Sequence, residues 1–306
     1  MKKIVFLLAA ISLIIISCKT TNPVPSGPRL IFMFKFDSTQ VRLNNLGNPS
    51  SVLPGDAGQS PIFHAMSAHY IELSQDSLSP FGIVANILYK NDEVSTGGSI
   101  AIDFSKSIIK GEGEEFYSVP LKNLAHDTYK WLRISLAFQN YDIKIKYTHP
   151  SLGTAIVDGD VASFLGFNTY ITSYILKGET ITVNGNRKQG YGAVKPFNVP
   201  TLGTMSAVSW DAPPVGRTTV VNPFAATLGI PLGSCLVVGK FTTPITITGN
   251  ETKDIVVTVS LSTNKSFEWF DKNHDGLFEP VDGLNSNAPM DSVVDMGVRG
   301  MIPIVN

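Results

Sequence analysis

Oxygen-bearing side chains recur at regular spacing near the carboxyl end of this chain, in residues 271–282. Aspartate, asparagine, aspartate, glutamate and aspartate occupy positions one, three, five, nine and twelve of this segment, and glycine occupies position six. Ca²⁺ prefers about six to eight oxygen ligands at about 2.3 to 2.6 Å, and a short segment supplies them only by turning sharply. The spacing therefore predicts a calcium site. The expected ligands, with Leu277 offering its backbone carbonyl, are Asp271, Asn273, Asp275, Leu277, Glu279 and Asp282.

This segment resembles the calcium loops of EF-hand and dockerin proteins, and it departs from them in three places. Phe278 replaces a smaller aliphatic residue, Asp282 replaces the usual bidentate glutamate, and Gly283 follows where a helix would begin. The preceding residues 267–270, FEWF, favour a strand. We therefore expect a single calcium loop flanked by strands, with a structural role, because a saturated oxygen shell leaves no open position for a substrate. The alternative is an acidic surface hairpin, since Asp-Gly turns are common.

Two histidines lie five residues apart, at His64 and His69, with Met66 between them. Imidazole and thioether ligands suit copper in an oxidising compartment. Five residues is a poor helical spacing, and on a strand it places the two rings on opposite faces. A copper site at His64 and His69 is therefore a hypothesis, and its alternative is two separate, hydrogen-bonded histidines.

The chain carries no sequence motif that predicts catalysis. It lacks a G-x-S-x-G segment, a recognisable cysteine–histidine signature and a glycine-rich phosphate-binding loop that opens a helix. Glu112, Glu114 and Glu115 could form the carboxylate pair of a glycosidase, but they lie in a turn directly before a strand, which favours a solvated loop. We predict that the protein is not an enzyme.

Composition predicts a folded chain that does not bind nucleic acid. Hydrophobic residues make up 43% of the chain and charged residues 16%, which is enough apolar surface for a full core. The 24 lysines and arginines are balanced by 25 acidic residues and, apart from Lys2-Lys3 and Arg187-Lys188, are spread singly. Nucleic-acid binding requires basic residues gathered in a patch, so that class of partner is not expected.

An export signal and a lipidation site are predicted at the amino terminus. Two lysines follow Met1, residues 4–16 are apolar except for Ser12, and residues 15–18 read IISC. A basic start, an apolar core too short to span a bilayer, and a small residue before the cleavage point are typical of a signal peptide. Because a cysteine follows directly, we predict a lipoprotein in which Cys18 receives a diacylglycerol before cleavage. The alternative is an ordinary signal peptide with a chance cysteine.

This signal predicts where the mature protein lies. Residues 1–17 would be the signal peptide, and residues 18–28 a lipidated cysteine with a proline-rich tether that cannot pack. The expected partner is thus a membrane, reached through the lipid. Lys19, in place of an acidic residue, favours the periplasmic face of the outer membrane over the cell surface. Acylation of Cys18 would leave Cys235 without a disulfide partner.

The rest of the chain has the period-two pattern of an all-β protein. Segments such as 30–36 and 255–261 are rich in apolar and β-branched residues and are separated by turn residues. We expect a β-sandwich, as one large lobe or two packed lobes, with few short helices. The expected division is a lobe over residues 29–150 and a second β-rich lobe over residues 151–306, which holds the calcium-like loop 271–282.

Two segments are candidates for helices. Residues 60–69 are the strongest candidate for a short helix or turn. Residues 161–174 are ambiguous, because their aromatic residues and threonines favour a strand while their small residues permit a helix.

Residues 67–73, SAHYIEL, and residues 127–135, DTYKWLRIS, resemble segments of the MbnP-like envelope proteins. The resemblance covers mainly residues 29–147 and implies a secreted β-sandwich linked to copper handling. It carries over no copper ligand, and His69 is the only histidine within the matching segments.

These patterns together predict a lipid-anchored binding or scaffold protein of the bacterial envelope, stabilised by calcium and linked to copper handling. The alternative is a surface lipoprotein that binds a glycan or an envelope protein.

Overall fold

Strands make up nearly all of the regular structure in the computed structural model. It describes residues 27–82, 86–149, 153–199, 205–211, 227, 229–231, 233–279 and 291–306. Its sheets pack against one another, which confirms the expected all-β sandwich. Across these ranges, no helix is long and apolar enough to cross a membrane.

The strands are β1 (Arg29–Asp37), β2 (Asp56–Gln59), β3 (Ile62–Ser74), β4 (Asn86–Lys90), β5 (Glu93–Val94), β6 (Ala101–Asp103), β7 (Glu115–Pro120), β8 (Asp127–His149), β9 (Gly153–Phe164), β10 (Asn168–Leu176), β11 (Glu179–Lys188), β12 (Gly192–Phe197), β13 (Val208–Trp210), β14 (Cys235–Ile247), β15 (Ile255–Ser262), β16 (Phe267–Phe270), β17 (Ser292–Asp295) and β18 (Met301–Val305). Two short 3-10 helices span Phe104–Lys106 and Leu121–Asn123.

The long strand β8 organises the largest sheet, whose order is β13-β12-β9-β8-β3-β4. On one side β8 pairs with β3 along much of its length. On the other side its first half pairs with β14 and its second half with β9. In that second half Tyr141, Ile143 and Ile145 are buried while Asp142 and Lys144 are not, as period-two alternation requires. The second half of β8 therefore presents one face to the core and lines up polar groups on the other face.

A second sheet, ordered β18-β15-β1-β7, covers the first half of β8. The main core lies between these sheets and includes Leu30 and Phe32 of β1, Val257 of β15, Ile134 of β8 and Val237 of β14. Strands from both sides of residue 150 thus pair with one another and share this core: β1 pairs with β15, and β8 pairs with β14. The boundary expected at residues 150–151 is crossed by these pairings.

A separate cluster of buried aromatic residues lies under the second half of β8. Tyr141 packs with Phe267, and Phe267 and Trp269 of β16 pack with Phe278 at ring-centroid distances of 4.8 and 5.6 Å. The strand β16 belongs to a small sheet ordered β17-β16-β2. The expected calcium loop begins directly after this strand, and its residue Phe278 packs into this aromatic cluster.

The prediction of a short helix or turn over residues 60–69 is wrong, because residues 62–69 form the first part of β3. Pairing with β8 buries every residue of β3 from Met66 to Ser74, and this non-local pairing decides the conformation. The ambiguous residues 161–174 form the end of β9 and most of β10, as their aromatic residues and threonines favour.

Candidate metal sites

The expected calcium loop adopts a chain of tight turns around its aspartates. The Gly276 amide donates to Asp271 Oδ2 at 2.8 Å, which closes the loop from position six back to position one. The Leu277 amide donates to Asp275 Oδ1 at 2.9 Å, and the Asp275 amide donates to Asn273 Oδ1 at 3.3 Å. Gly276 has φ +74°, a conformation that glycine adopts without strain. The segment therefore folds as a loop in which Gly276 turns back toward Asp271.

The structure brings several of the expected ligands together. Asn273 Nδ2 donates to Glu279 Oε2 at 2.9 Å and to Asp275 Oδ2 at 3.1 Å. Asp271 is buried, and its Oδ1 has no hydrogen-bond partner among the described residues. Leu277 lies in the loop, and Asp282 lies outside the described residues.

Asp291 is a carboxylate of this site that the sequence pattern did not reveal. Its Oδ2 accepts from the Glu279 amide at 2.8 Å, and its Oδ1 accepts from the Lys272 amide at 3.1 Å. Burial raises the pKa of Asp291, and the neighbouring Asp271 and Glu279 raise it further. Asp291 lies beyond the twelve-residue loop, so no ligand spacing could have indicated it.

A lysine of β8 lies against the loop carboxylates. Lys146 Nζ contacts Glu279 Oε1 at 2.8 Å and also contacts Asp275 Oδ2, and these hydrogen bonds raise the pKa of Lys146. Burial opposes the shift at Asp275, but the hydrogen bond from Lys146 holds its pKa below the usual range. Among the described residues, no three loop carboxylates have oxygens that all lie within 4.8 Å of one another. A calcium ion would therefore require the loop to contract and the ammonium to move.

His64 lies instead in a second group of possible metal ligands. Its Nε2 is 3.0 Å from Asp142 Oδ2. His64, Asp142 and Asp160 each offer a ligand atom, and these three atoms all lie within 4.8 Å of one another. Among the described residues, no other group of three histidine, cysteine, aspartate or glutamate side chains has ligand atoms this close together.

His69 has different surroundings. Its side chain is buried, its Nε2 is 3.0 Å from Glu93 Oε1, and its ring packs 5.5 Å from that of Phe167. Burial lowers the pKa of the His69 imidazole, although the hydrogen bond to Glu93 opposes the shift. The structure does not assemble His64 and His69 into one site, and Met66 between them is fully buried in the main core.

The remaining candidates have structural surroundings. Cys235 is a free, buried cysteine, and burial raises the pKa of its thiol to about 12, which disfavours the reactive thiolate. Glu112 and Glu114 accept from backbone amides at 2.9 and 2.6 Å, and Glu115 pairs with Arg29 at 3.1 Å. Cys18 lies outside the described residues.

Aromatic residues beside the loop lie in the core. Trp269 and Phe278 are 1% and 6% exposed. Tyr191 is also buried. These rings therefore cannot stack on a sugar at the surface.

Comparisons of the chain with protein-family models, with curated proteins and with solved structures give no significant match.

Proposed function

We propose that this chain is a lipid-anchored binding protein of the bacterial envelope whose β-sandwich is stabilised by Ca²⁺ in the loop 271–282. The observation that carries the proposal is the hydrogen bond from Gly276 to Asp271, followed by two tight turns on Asn273 and Asp275. This arrangement holds the side-chain oxygens of Asp271, Asn273 and Asp275 against backbone amides of the loop.

The charge balance of the loop supports the proposal. Asp271, Asp275, Glu279 and Asp291 are four carboxylates in one small region, and Lys146 contacts two of them with a single positive charge. Burying carboxylates without full neutralisation is costly. A divalent cation would supply the missing charge and would bind the partnerless oxygen of Asp271.

The anchoring of the loop explains how calcium would stabilise the whole sandwich. The Lys146 amide donates to the Phe278 carbonyl at 2.8 Å, and the Asp291 amide donates to the Glu279 carbonyl at 3.0 Å. The loop is thereby tied to β8 and to the segment that enters β17. An ion bound here would link the largest sheet with the small sheet that holds Trp269.

We expect Ca²⁺ to raise the melting temperature of the mature protein. A ligand that binds only the folded state at 100 times its Kd stabilises it by about 2.7 kcal/mol, which corresponds to roughly 4–5 °C for a chain of this size. Differential scanning calorimetry with excess CaCl₂ and with excess chelator measures this shift. Identical melting temperatures in the two conditions would remove the calcium part of the proposal.

Three variants make this test specific. Asp271→Asn keeps an oxygen that can accept from Gly276 but removes the charge, so it should abolish most of the calcium-dependent shift. Lys146→Met removes a competing internal cation and should tighten calcium binding. Asp254→Asn is the control, because this exposed aspartate pairs with Arg29 at 3.7 Å, away from the loop. A calcium-dependent shift in Asp271→Asn equal to that of the unsubstituted protein would contradict the assignment of the loop.

We expect Cys18→Ser to abolish membrane anchoring. The unsubstituted protein, expressed with its own signal in a Gram-negative host, should enter the detergent phase on Triton X-114 partitioning and incorporate a labelled fatty acid. The variant should do neither, because it lacks the thiol that takes the lipid. Recovery of the unsubstituted protein in the aqueous phase, unlabelled, would contradict the lipoprotein assignment.

The proposal does not extend to a copper site shared by His64 and His69, since the two rings contact different carboxylates. It describes a protein that binds rather than catalyses. No observation on the described residues favours the glycan-binding alternative over this one.

A further inference from the structure

A polar row crosses three neighbouring strands of the largest sheet. In the pairing of β8 with β9, Asp142 lies directly opposite Asp160. In the pairing of β3 with β8, Asp142 lies opposite Ile62, and a register shift after Phe63 brings His64 to the same place. The result is an imidazole and two carboxylates with ligand atoms mutually within 4.8 Å. No single stretch of sequence contains this set, because its members come from three separate strands.

Among the described residues, no lysine or arginine forms an ion pair with either carboxylate of this row. Asp160 is 5% exposed and accepts from the neutral amide Nδ2 of Asn140 at 2.6 Å. Asp142 Oδ1 is buried and has no hydrogen-bond partner among the described residues. The nearest contact that can carry positive charge is His64 itself.

The next residue along the row does not supply that charge. Lys195 of β12 lies opposite Asp160 in the pairing of β9 with β12. Its ammonium is 3.0 Å from Glu179, and that hydrogen bond holds the pKa of Glu179 below its usual range. Lys195 is therefore engaged elsewhere, and the two carboxylates face the imidazole.

We propose that His64, Asp142 and Asp160 bind a divalent transition-metal ion, for which Zn²⁺ is the best match. Imidazole nitrogen suits Zn²⁺ and not the hard cation Ca²⁺, whereas carboxylates do not suit Cu⁺. Zn²⁺ binds histidine nitrogen and carboxylate oxygen at about 2.0 to 2.2 Å, so neighbouring ligand atoms of a tetrahedral site lie about 3.3 to 3.6 Å apart. The distance of 3.0 Å between His64 Nε2 and Asp142 Oδ2 is about 0.3 Å short of one edge of such a site.

Completing the site takes a small movement. The His64 side chain is 39% exposed and the Asp142 side chain 17% exposed, so both can adjust their torsions while the buried Asp160 stays fixed. Three protein ligands leave at least one further position on the ion for water or a bound molecule. This site differs from the calcium loop in its donor types and in its position. Asp142 lies about 13 Å along β8 from Lys146, the residue that contacts the calcium loop.

The competing interpretation is an ion pair without metal, in which a protonated His64 neutralises Asp142. It predicts no saturable zinc binding. Isothermal titration of the full-length mature protein in detergent with ZnCl₂, in the presence of excess CaCl₂, separates the two. We expect one zinc ion per chain that binds while calcium occupies the other site, and Co²⁺ should give visible ligand-field absorption when it replaces zinc.

The variants locate the ion. His64→Ala and Asp142→Asn should each weaken zinc binding by at least about 100-fold, since loss of a direct ligand exceeds the effect of losing an outer partner. Asp160→Asn tests the buried ligand with little change of shape. His126→Ala is the matched control, because His126 is an exposed histidine outside the row.

Melting temperatures show whether a variant that loses zinc binding is still folded. The metal-free melting temperature of His64→Ala should equal that of the unsubstituted protein within about 2 °C, because substitution of an exposed side chain usually has a small effect. The proposal is overturned if zinc does not bind stoichiometrically, or if His64→Ala binds zinc and Co²⁺ as the unsubstituted protein does. These outcomes do not depend on whether calcium stabilises the fold.

Discussion

Replacing Arg133 with methionine is expected to lower the free energy of unfolding by about 3–5 kcal/mol, because it leaves a buried charge without its partner. Arg133 of β8 and Glu72 of β3 are 1% and 0% exposed, and the Arg133 Nε donates to Glu72 Oε2 at 2.8 Å. Arg133 also donates to the carbonyl of Ser79. The pair therefore lies inside the sandwich, where water cannot replace either partner.

The pH dependence of this variant has a definite sign. Burial raises the pKa of Glu72 in the folded protein, and Arg133 opposes that rise. Removing Arg133 should raise the pKa further. A carboxylate whose folded pKa exceeds its unfolded value of about 4.3 destabilises the fold as the pH rises through that interval. The loss in Arg133→Met should therefore be largest at neutral pH and smaller at acidic pH.

Urea unfolding followed by tryptophan fluorescence measures this effect, with Lys130→Met as the control on an exposed position of the same strand. The double variant Arg133→Met with Glu72→Gln should recover part of the stability, because it removes the unpaired charge. A loss below about 1 kcal/mol in Arg133→Met would mean that the pair is of the weak, solvent-screened kind.

Glu268→Gln is expected to destabilise the fold by about 3–5 kcal/mol at neutral pH, because it leaves the buried Arg42 without its counter-charge and leaves Arg299 with Asp295 alone. Glu268 of β16 is 1% exposed, and its Oε2 is 2.6 Å from Arg42 and 3.1 Å from Arg299. Its Oε1 accepts from the Leu53 amide at 3.0 Å. One carboxylate thus joins β16 to the loop before β2 and to the segment before β18.

The sign of the pH effect is opposite to that at Glu72. Burial alone would raise the pKa of Glu268, but the Leu53 amide and the two arginines hold it below its usual range. The stabilisation is then fully present above the unfolded pKa of about 4.3, and it is lost as the pH falls through the folded value. The difference between the unsubstituted protein and Glu268→Gln should therefore shrink on acidification.

Urea unfolding over a series of pH values checks this expectation. Asp295, which is 2.8 Å from Arg299, has a pKa raised by burial and contributes with the opposite sign. Asp295 shares Arg299 with Glu268, so the comparison is repeated with Asp295→Asn in both proteins to remove its contribution. A difference that stays constant or grows at acidic pH would contradict the depressed pKa of Glu268.

The strands were predictable because their cause is local. Alternation of apolar and polar residues and a high content of β-branched residues appear in short windows, and they predicted the all-β class. The helix expected at residues 60–69 failed for the complementary reason. Those residues have weak local preference, and pairing with β8 supplied the energy that chose a strand.

The calcium-like loop shows the same division within one site. The hydrogen bonds among Asp271, Asn273, Asp275 and Gly276 span at most five residues, and they lie within the segment whose spacing predicted a sharp turn at Gly276. Lys146 and Asp291 enter the loop from elsewhere in the chain. Their positions depend on how β8 and β17 pack beside β16, which spacing does not encode.

By itself the sequence determined the period of the strands and the turns of residues 271–279, because each depends on neighbours along the chain. It also predicted the lipid anchor at Cys18. The tertiary structure decided which distant side chains meet. It placed His64 beside Asp142 and Asp160, and it placed His69 in contact with Glu93. The physical reason is strand register: a one-residue shift moves a side chain to the other face of the sheet, and register is set by the burial of the whole core.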